Sequence, residues 1–126
     1  MNEKESSAAS GVESVIALLA QRWPRAFAIR ESQRRPLKVG IHADVLAALD
    51  GAVSAAELGS ALGHYTKGAA YIRRLTRSGA ERIDLDGAPA GEVSPEEANA
   101  AVMELSQLVW RQAARRGEGH RDYHDD

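Results

Sequence analysis

The amino-acid sequence predicts a mainly α-helical fold with one small β-hairpin. Apolar residues recur at the three- and four-residue spacing of helices along most of the chain. The pattern Ser-x-x-Glu, in which the two side chains satisfy free N–H groups at a helix start, precedes two of these segments. Residues 81–87 instead alternate with the two-residue period of a strand, and turn residues follow them.

The first helix is predicted to begin at Ser10 and to end near Trp23. Pro24 disfavours helical backbone at the residue before it, which sets the end of the helix. The preceding residues 1–9 are small and polar, a composition typical of a disordered tail. One face of this helix carries the apolar residues Val12, Val15, Ile16, Leu19 and Trp23.

An extended segment and two helices are predicted next. Residues 37–41 follow a proline and alternate in character, as a short extended segment does. The helix after them ends at Asp50-Gly51, and the following helix begins at the capping pair Ser54 and Glu57. The residues predicted to face the core are Ile41, Val45 and Leu49 in the first of these helices and Leu58, Leu62 and Tyr65 in the second.

A fourth helix and the hairpin occupy the next part of the chain. The helix is predicted between Thr66, whose hydroxyl would cap its start, and Gly79, which would close it. A strand over 81–87 and a return strand over 91–93 then form the hairpin, with a turn at Gly87.

The last helix has a strong predicted start and a long apolar stripe. Ser94 stands at the cap position, Pro95 at the first helical position and Glu97 at the third. Gly117 is predicted to end this helix. The residues predicted to pack inward are Ala98, Ala101, Val102, Leu105 and Val109 and, among the aromatic side chains, Trp23, Phe27 and Trp110.

These elements predict one domain over residues 10–117, flanked by a disordered tail at 1–9 and a polar, acidic tail at 118–126. The chain has 126 residues, which is enough for one hydrophobic core. Its polar start does not resemble a secretory signal, and no apolar run is long enough to span a membrane. The absence of cysteine excludes disulfides and thiol catalysis. We therefore expect a cytoplasmic protein.

The charges are distributed unevenly along the chain, although the net charge is only −2. Residues 21–82 contain eleven Lys and Arg against five Asp and Glu, a balance of +6. This balance indicates an anionic partner, with an ordinary solvated surface as the alternative. Arg73, Arg74 and Arg77 lie within about one helical turn, and Arg73 and Arg77 repel each other unless an anion lies between them.

Three motifs in a fixed order resemble the ProQ/FinO domain of bacterial RNA-binding proteins. They are "RPLKVGI", "LGSALGHYT" and "GAERIDLDGAPAGEV", and the resemblance extends over about residues 12–110. It implies a compact helical domain with a small hairpin that acts as an RNA chaperone or post-transcriptional regulator. The implied partners are structured RNAs, such as small RNAs and mRNA 3′ ends, that carry a terminator-like hairpin and a single-stranded 3′ tail.

The resemblance also implies which residues contact RNA. Tyr71 and Arg82 match a pocket for the RNA 3′ terminus, and Lys38 matches a supporting basic position. Tyr65 and Thr66 match a helix break against the duplex phosphates. The family often has Lys or Arg at the positions of Ala55, Gly59 and Gly63, unlike this chain. The complete predicted set of RNA-contacting residues is Arg35, Lys38, Tyr65, Thr66, Lys67, Gly68, Tyr71, Arg73, Arg74, Arg77 and Arg82.

The chemistry of these side chains leaves alternatives open. Tyr71 is suited to stacking on a base or donating its hydroxyl to a sugar oxygen, but its neighbours also favour core packing. Arg82 is suited to gripping a phosphate, or to pairing with the aspartates on its own strand. Backbone N–H groups at Thr66 to Gly68 are suited to seating a phosphate, although an ordinary helix cap fits as well.

Two further hypotheses concern other classes of function. Asp84 and Asp86 resemble a Mg²⁺-binding pair of phosphotransferases, but the strand-helix alternation that such enzymes need is absent. We instead expect these aspartates to shape the hairpin turn and to hold Arg82. His120 and His124 lie in a polar tail, so no metal, cofactor or enzymatic activity is predicted.

The other hypothesis is a protein-interaction module that docks a partner on the last helix; no obligate protein partner is evident, and a monomer is expected.

Overall fold

A computed structural model describes the backbone of residues 3–116 and the side chains of residues 11–116. The elements are α1 (Glu3–Arg22), a 3₁₀ turn (Glu31–Gln33), α2 (Ile41–Leu49), α3 (Ala55–Thr66), α4 (Ala69–Arg74), β1 (Glu81–Ile83), β2 (Pro89–Glu92) and α5 (Pro95–Arg116). The predicted fold class, mainly helical with one hairpin, is confirmed.

The core lies between α1, α2 and α3, with one side of α4 and the hairpin closing it. α1 packs along α3, and α4 packs against both α5 and the 3₁₀ turn. The apolar faces predicted for α2 and α3 are the buried ones, because their helical spacing places those side chains on one side. The most deeply buried large side chains are Leu19, Phe27, Val45, Leu58, Tyr65, Ile72, Ile83 and Val93.

Backbone hydrogen bonds place the chain near Pro36 beside the hairpin. Leu37 forms an isolated parallel bridge with Ile83. The N–H of Lys38 donates to the carbonyl of Ile83 at 2.8 Å, and the N–H of Ile83 donates to the carbonyl of Pro36 at 3.0 Å. The predicted extended segment is therefore confirmed at Leu37, where it fixes the position of β1, but residues 39–40 form a turn and Ile41 begins α2.

The hairpin strand is shorter than the sequence predicts. β1 ends at Ile83 and pairs antiparallel with β2, whereas the strand was expected to continue to residue 87. The carboxylate of Asp84 accepts hydrogen bonds from the N–H groups of Asp86 and Ala88, at 2.9 and 3.0 Å, and these bonds form the turn. Gly87 has φ 79°, and a Cβ there would lie 2.8 Å from that of Arg25, so the turn requires glycine.

The start of α1 and the packing of α5 differ from the predictions. The backbone of α1 is helical from Glu3, before the predicted start at Ser10. In α5, Ala98 and Ala101 are buried, but Val102, Val109 and Trp110 are exposed, so their predicted inward packing is wrong. No described element covers that side of α5, which the periodicity of the sequence could not reveal. The predicted boundaries at 1–9, 10–117 and 118–126 remain predictions, and residues 117–126 lie outside the described chain.

Ser94 is expected to be a measurable stability determinant because it caps α5. Its Oγ accepts from the N–H of Glu97 at 3.0 Å, and the Glu97 carboxylate accepts from the N–H of Ser94 at 2.9 Å. Ser94→Ala should lower the free energy of unfolding by about 1 kcal/mol in urea denaturation. Ser106→Ala, in the exposed middle of the same helix, is the matched control. It should be neutral or slightly stabilising, and equal losses in both variants would contradict the capping role.

Candidate functional site

Two clefts lie on different sides of α4. The first, which we call the Tyr71 cleft, has a volume of about 370 Å³. It brings Lys38, Thr66, Tyr71 and Arg82 together, four of the residues that the sequence predicted to contact RNA. The lining residues are Leu37, Lys38, Val39, Ile41, Leu62, Gly63, Thr66, Tyr71, Leu75 and Arg82.

Tyr71 lies in the wall of this cleft rather than on the surface. Its side chain is only 5% exposed and its ring packs edge-on to that of Tyr65, so stacking of a base on this ring is not possible in this arrangement. The hydroxyl oxygen accepts from the N–H of Leu37 at 3.0 Å. Burial raises the pKa of this phenol, which keeps the hydroxyl neutral and leaves its hydrogen for donation.

Arg82, which lies on β1 of the hairpin, also contacts the backbone of Leu37. Its Nη1 donates to the carbonyl of Leu37 at 2.8 Å, and its Nη2 donates to the Glu97 carboxylate at 3.1 Å. Tyr71 and Arg82 therefore meet at Leu37, one on its N–H and the other on its carbonyl. The buried Nε of Arg82 has no hydrogen-bond partner among the described residues.

The carboxylate that holds Arg82 is Glu97, so the expectation that Asp84 and Asp86 would hold it is wrong. Asp84 is committed to the turn, and Glu97 arrives from the first turn of α5. Hydrogen bonds from the Ser94 N–H and from Arg82 lower the pKa of Glu97, which keeps it ionised at neutral pH. No sequence signal pointed to this pair, because its partners belong to different elements.

The rim of the Tyr71 cleft carries further polar groups. Lys38 donates to Asp44 at 2.7 Å, and this bond raises the pKa of the lysine. The hydroxyl of Thr66 donates to the carbonyl of Leu62 at 3.0 Å inside α3. Thr66 therefore ends α3 and does not cap α4, which contradicts the predicted cap.

The cap position of α4 is Gly68, without a side-chain cap. A carboxylate of the 3₁₀ turn approaches it, since a Cβ on Gly68 would lie 3.4 Å from Glu31 Oε1. Lys67 is exposed beside it. The predicted phosphate seat at this turn thus has one nearby cation and one nearby anion.

The second cleft, which we call the arginine cleft, has a volume of about 640 Å³ on the other side of α4. It brings together the predicted residues Arg35, Arg73, Arg74 and Arg77. The remaining lining residues are Ser32, Pro36, Ala70, Thr76, Ala80 and Glu81.

Tyr65 is placed where it cannot contact a ligand. Its side chain is fully buried and its hydroxyl accepts from the N–H of Ala28 at 2.7 Å. Burial raises its pKa. We therefore correct its predicted role against duplex phosphates to a role in the core.

Arg34 has a structural role that sequence reasoning missed. It is 7% exposed, lies 4.0 Å from the centre of the Tyr65 ring, and is paired with no carboxylate among the described residues. Its guanidinium instead donates to the carbonyls of Ala28, Ile29 and Tyr65, at 3.0, 2.9 and 3.2 Å. The sequence analysis included Arg34 only in the positive charge balance of residues 21–82, and no pattern in the sequence indicated that it is buried.

Comparison with known proteins assigns the chain to a family. The profile of the ProQ/FINO family matches residues 9–118, which is most of the chain. The chain belongs to the ProQ/FinO family. It is 39% identical over 108 residues to a protein of Aliivibrio salmonicida (strain LFI1238) named RNA chaperone ProQ, and the match covers 84% of this chain. The matched part is 50% of the Aliivibrio protein, so this chain spans half the length of that relative.

Solved structures agree with the assignment to the ProQ/FinO family. A ProQ homologue from Legionella pneumophila, solved by NMR, superposes with a TM-score of 0.65 at 29% identity, covering 74% of this chain and 79% of that one. The crystal structure of a FinO-like RNA chaperone from Neisseria meningitidis MC58 gives a TM-score of 0.60 at 28% identity, covering 74% and 92%.

The ProQ/FinO domain described here has an uncharged face on α3. Ala55, Gly59 and Gly63 are exposed, and Gly63 lines the Tyr71 cleft. A Cβ at Gly63 would meet nothing within 4 Å, so there is open space at this position. The departure from the basic family pattern therefore leaves this part of the cleft without a positive charge.

The metal hypothesis finds no support in the described part of this ProQ/FinO domain. Among those residues no group of three or more His, Asp or Glu side chains is arranged to hold a metal ion. Asp84 serves the hairpin turn. His120 and His124 lie outside the described residues.

No helix within the described range is long and apolar enough to span a membrane.

Proposed function

We propose that this chain is an RNA-binding domain that acts as an RNA chaperone and receives the 3′ end of a structured RNA in the Tyr71 cleft. The observation that carries the proposal is the convergence of Tyr71 and Arg82 on Leu37 in the wall of a cleft. This convergence sets a neutral hydroxyl donor next to a guanidinium. The proposed activity is binding by a monomer in the cytoplasm, with no chemical step.

The terminal nucleotide is matched by the groups in this cleft. Tyr71 donates its hydroxyl hydrogen to a ribose oxygen, because its own oxygen is already occupied by the Leu37 N–H. Arg82 lines the cleft, and its guanidinium charge attracts the phosphate that adjoins the terminal ribose. Leu37, Leu62 and Leu75 supply an apolar wall for the face of the nucleotide.

Positively charged side chains near the Tyr71 cleft contact the RNA backbone beyond its 3′ end. Lys38 and Lys67 contribute point charges for phosphates, and Gly68 permits close approach of a backbone. Because Glu31 lies beside Gly68, we assign the larger share of phosphate contact at this turn to Lys67. Recognition of this kind reads shape and end chemistry more than base sequence.

The test compares RNA ligands that differ only at the 3′ end. The domain should bind a hairpin with a single-stranded 3′ tail more tightly than the same hairpin with a blunt end, measured by fluorescence anisotropy. A 3′-phosphate in place of the 3′-hydroxyl should weaken binding, because it replaces the ribose hydroxyl to which Tyr71 would donate. Affinity should fall with rising salt as counterions are released. Equal affinity for all three RNAs would refute the role of the cleft.

A second candidate function, docking of a protein on α5, is favoured by exposed apolar side chains. Val102, Met103, Val109 and Trp110 are exposed on this helix, with Trp110 at 68%. The RNA assay separates the two functions, because Trp110→Ala should leave RNA affinity unchanged if α5 serves a protein partner.

A further inference from the structure

Four arginines in the arginine cleft have no carboxylate partner. Among the described residues the salt bridges are Lys38–Asp44 and Arg82–Glu97, and neither involves Arg35, Arg73, Arg74 or Arg77. Glu81 is the single carboxylate among the lining residues, against four guanidiniums. Like charges that line one cleft repel each other, and an anion that enters between them relieves this repulsion.

Two of these guanidiniums are held in place by backbone carbonyls. Arg74 Nη2 donates to the carbonyl of Ser32 at 2.6 Å, and Arg35 Nη2 donates to the carbonyl of Arg25 at 3.1 Å. These bonds fix the side chains without neutralising them, which leaves the charge and the other N–H groups for a ligand. The side chains of Arg73 and Arg77 form no such bond within the described residues and extend from one face of α4 and the turn after it.

The arginine cleft and the Tyr71 cleft share no lining residue. Within α4, Ala70, Arg73 and Arg74 line the arginine cleft and Tyr71 lines the Tyr71 cleft, because they lie on different faces of the helix. The extended segment divides in the same way: Pro36 lines the arginine cleft and Leu37 lines the Tyr71 cleft. A residue that contacts RNA in one cleft therefore does not line the other.

We propose that the arginine cleft is a second RNA site, which binds backbone phosphates of an RNA segment distinct from the 3′ end. Guanidinium groups bind phosphate oxygens in a bidentate fork, and four of them around an open cleft suit a run of phosphates. The cleft lacks the buried hydroxyl donor of the Tyr71 cleft, so it does not distinguish one end chemistry from another. This inference rests on the proposed RNA-binding function and deepens it.

The test removes two of the four charges and reads the salt dependence of binding. In Arg73→Ala/Arg77→Ala, affinity for the tailed hairpin should fall about tenfold, and the slope of log affinity against log salt should become shallower by about 0.7–0.9 per lost phosphate contact. The ratio of affinities for 3′-hydroxyl and 3′-phosphate RNA should stay at the wild-type value. That ratio depends on the Tyr71 cleft, so failure of this inference and failure of the proposed function give different results.

Matched variants separate a site from a general charge effect. Arg111→Ala/Arg115→Ala removes the same two charges from exposed positions on α5 that line neither cleft, and should change affinity much less. Arg73→Lys/Arg77→Lys keeps the charge but not the fork, and should retain the salt slope while losing part of the affinity. An unchanged affinity and slope in the double alanine variant, the result expected if an acidic protein occupies the cleft, would overturn the inference. A loss no larger than that of the α5 control would overturn it too.

The phosphates bound in the arginine cleft can belong to the RNA whose 3′ end occupies the Tyr71 cleft or to a second RNA molecule. A competition experiment distinguishes these two sources. The domain is saturated with a labelled tailed hairpin, and a non-complementary single strand with a blocked 3′ end is added. Displacement of the hairpin at one-to-one stoichiometry indicates that a single RNA fills both clefts. A ternary complex that Arg73→Ala/Arg77→Ala fails to form indicates two RNAs. Whichever of the two outcomes the wild type gives, its loss in Arg73→Ala/Arg77→Ala supports the second site. If the double variant gives the same outcome as the wild type, the second site is contradicted.

Discussion

Arg82→Ala is expected to abolish the preference for a 3′-hydroxyl end and to weaken binding of a tailed hairpin roughly ten- to hundredfold. Hydrogen bonds from a charged donor contribute about 1.5–3 kcal/mol each, which corresponds to this range. The loss should be specific to the end: the blunt hairpin, which does not use the Tyr71 cleft, should lose little. Fluorescence anisotropy with the matched set of tailed, blunt and 3′-phosphorylated RNAs measures both effects.

Arg82 also has a structural role, so its controls must separate binding from folding. Its Nη1 satisfies the carbonyl of Leu37, and Nη2 pairs with Glu97. Glu97→Gln removes the ion pair but leaves the guanidinium in place, and it should preserve the 3′-hydroxyl preference. Thermal unfolding of each variant gives the folded fraction to which affinity is normalised. If folded Arg82→Ala retained the wild-type preference, Arg82 would have no part in recognising the RNA end.

Tyr71→Ala is a poor probe of the same cleft. The ring is buried against Tyr65, so its removal would leave a cavity in the core, and any loss of RNA binding would have two explanations. Arg82 is a sharper choice because it is not part of the hydrophobic core, and because Glu97→Gln tests its ion pair separately.

Arg34→Ala is expected to destabilise the domain by at least about 3 kcal/mol, because it removes three charge-assisted hydrogen bonds at once. The carbonyls of Ala28, Ile29 and Tyr65 would lose their donor in a part-buried setting, and Tyr65 would lose the cation over its ring. Urea denaturation measures this as a lower midpoint at an unchanged slope.

The adjacent Arg35→Ala is the control for Arg34. Arg35 is exposed and its substitution should change stability by no more than about 0.5 kcal/mol. Both changes remove one of two adjacent arginines, so the difference between them isolates burial from charge. Equal midpoints in the two variants would show that the buried hydrogen bonds of Arg34 do not stabilise the fold. Under conditions where Arg34→Ala is folded, its 3′-hydroxyl preference should match that of the wild type.

The sequence alone predicted the parts of this protein that depend on local spacing. The faces of α2 and α3 and the start of α5 at Ser94 follow from periodicity and from capping partners three residues apart. The bridge of Leu37 beside the hairpin was anticipated only as an extended segment, since its partner Ile83 is distant in the chain. The motifs that resemble the ProQ/FinO domain carried the family assignment, which the comparisons confirm.

The environment of individual arginines and aromatic side chains was decided by the tertiary structure. Arg34 and Arg35 are identical in type and adjacent, yet one is buried among carbonyls and the other lines an open cleft, because consecutive residues of an extended chain point to opposite sides. Trp110 resembled a core residue but projects from a side of α5 that no described element covers. Periodicity identifies which residues share a face, whereas burial of that face depends on what packs against it, and only long-range packing brings those partners together.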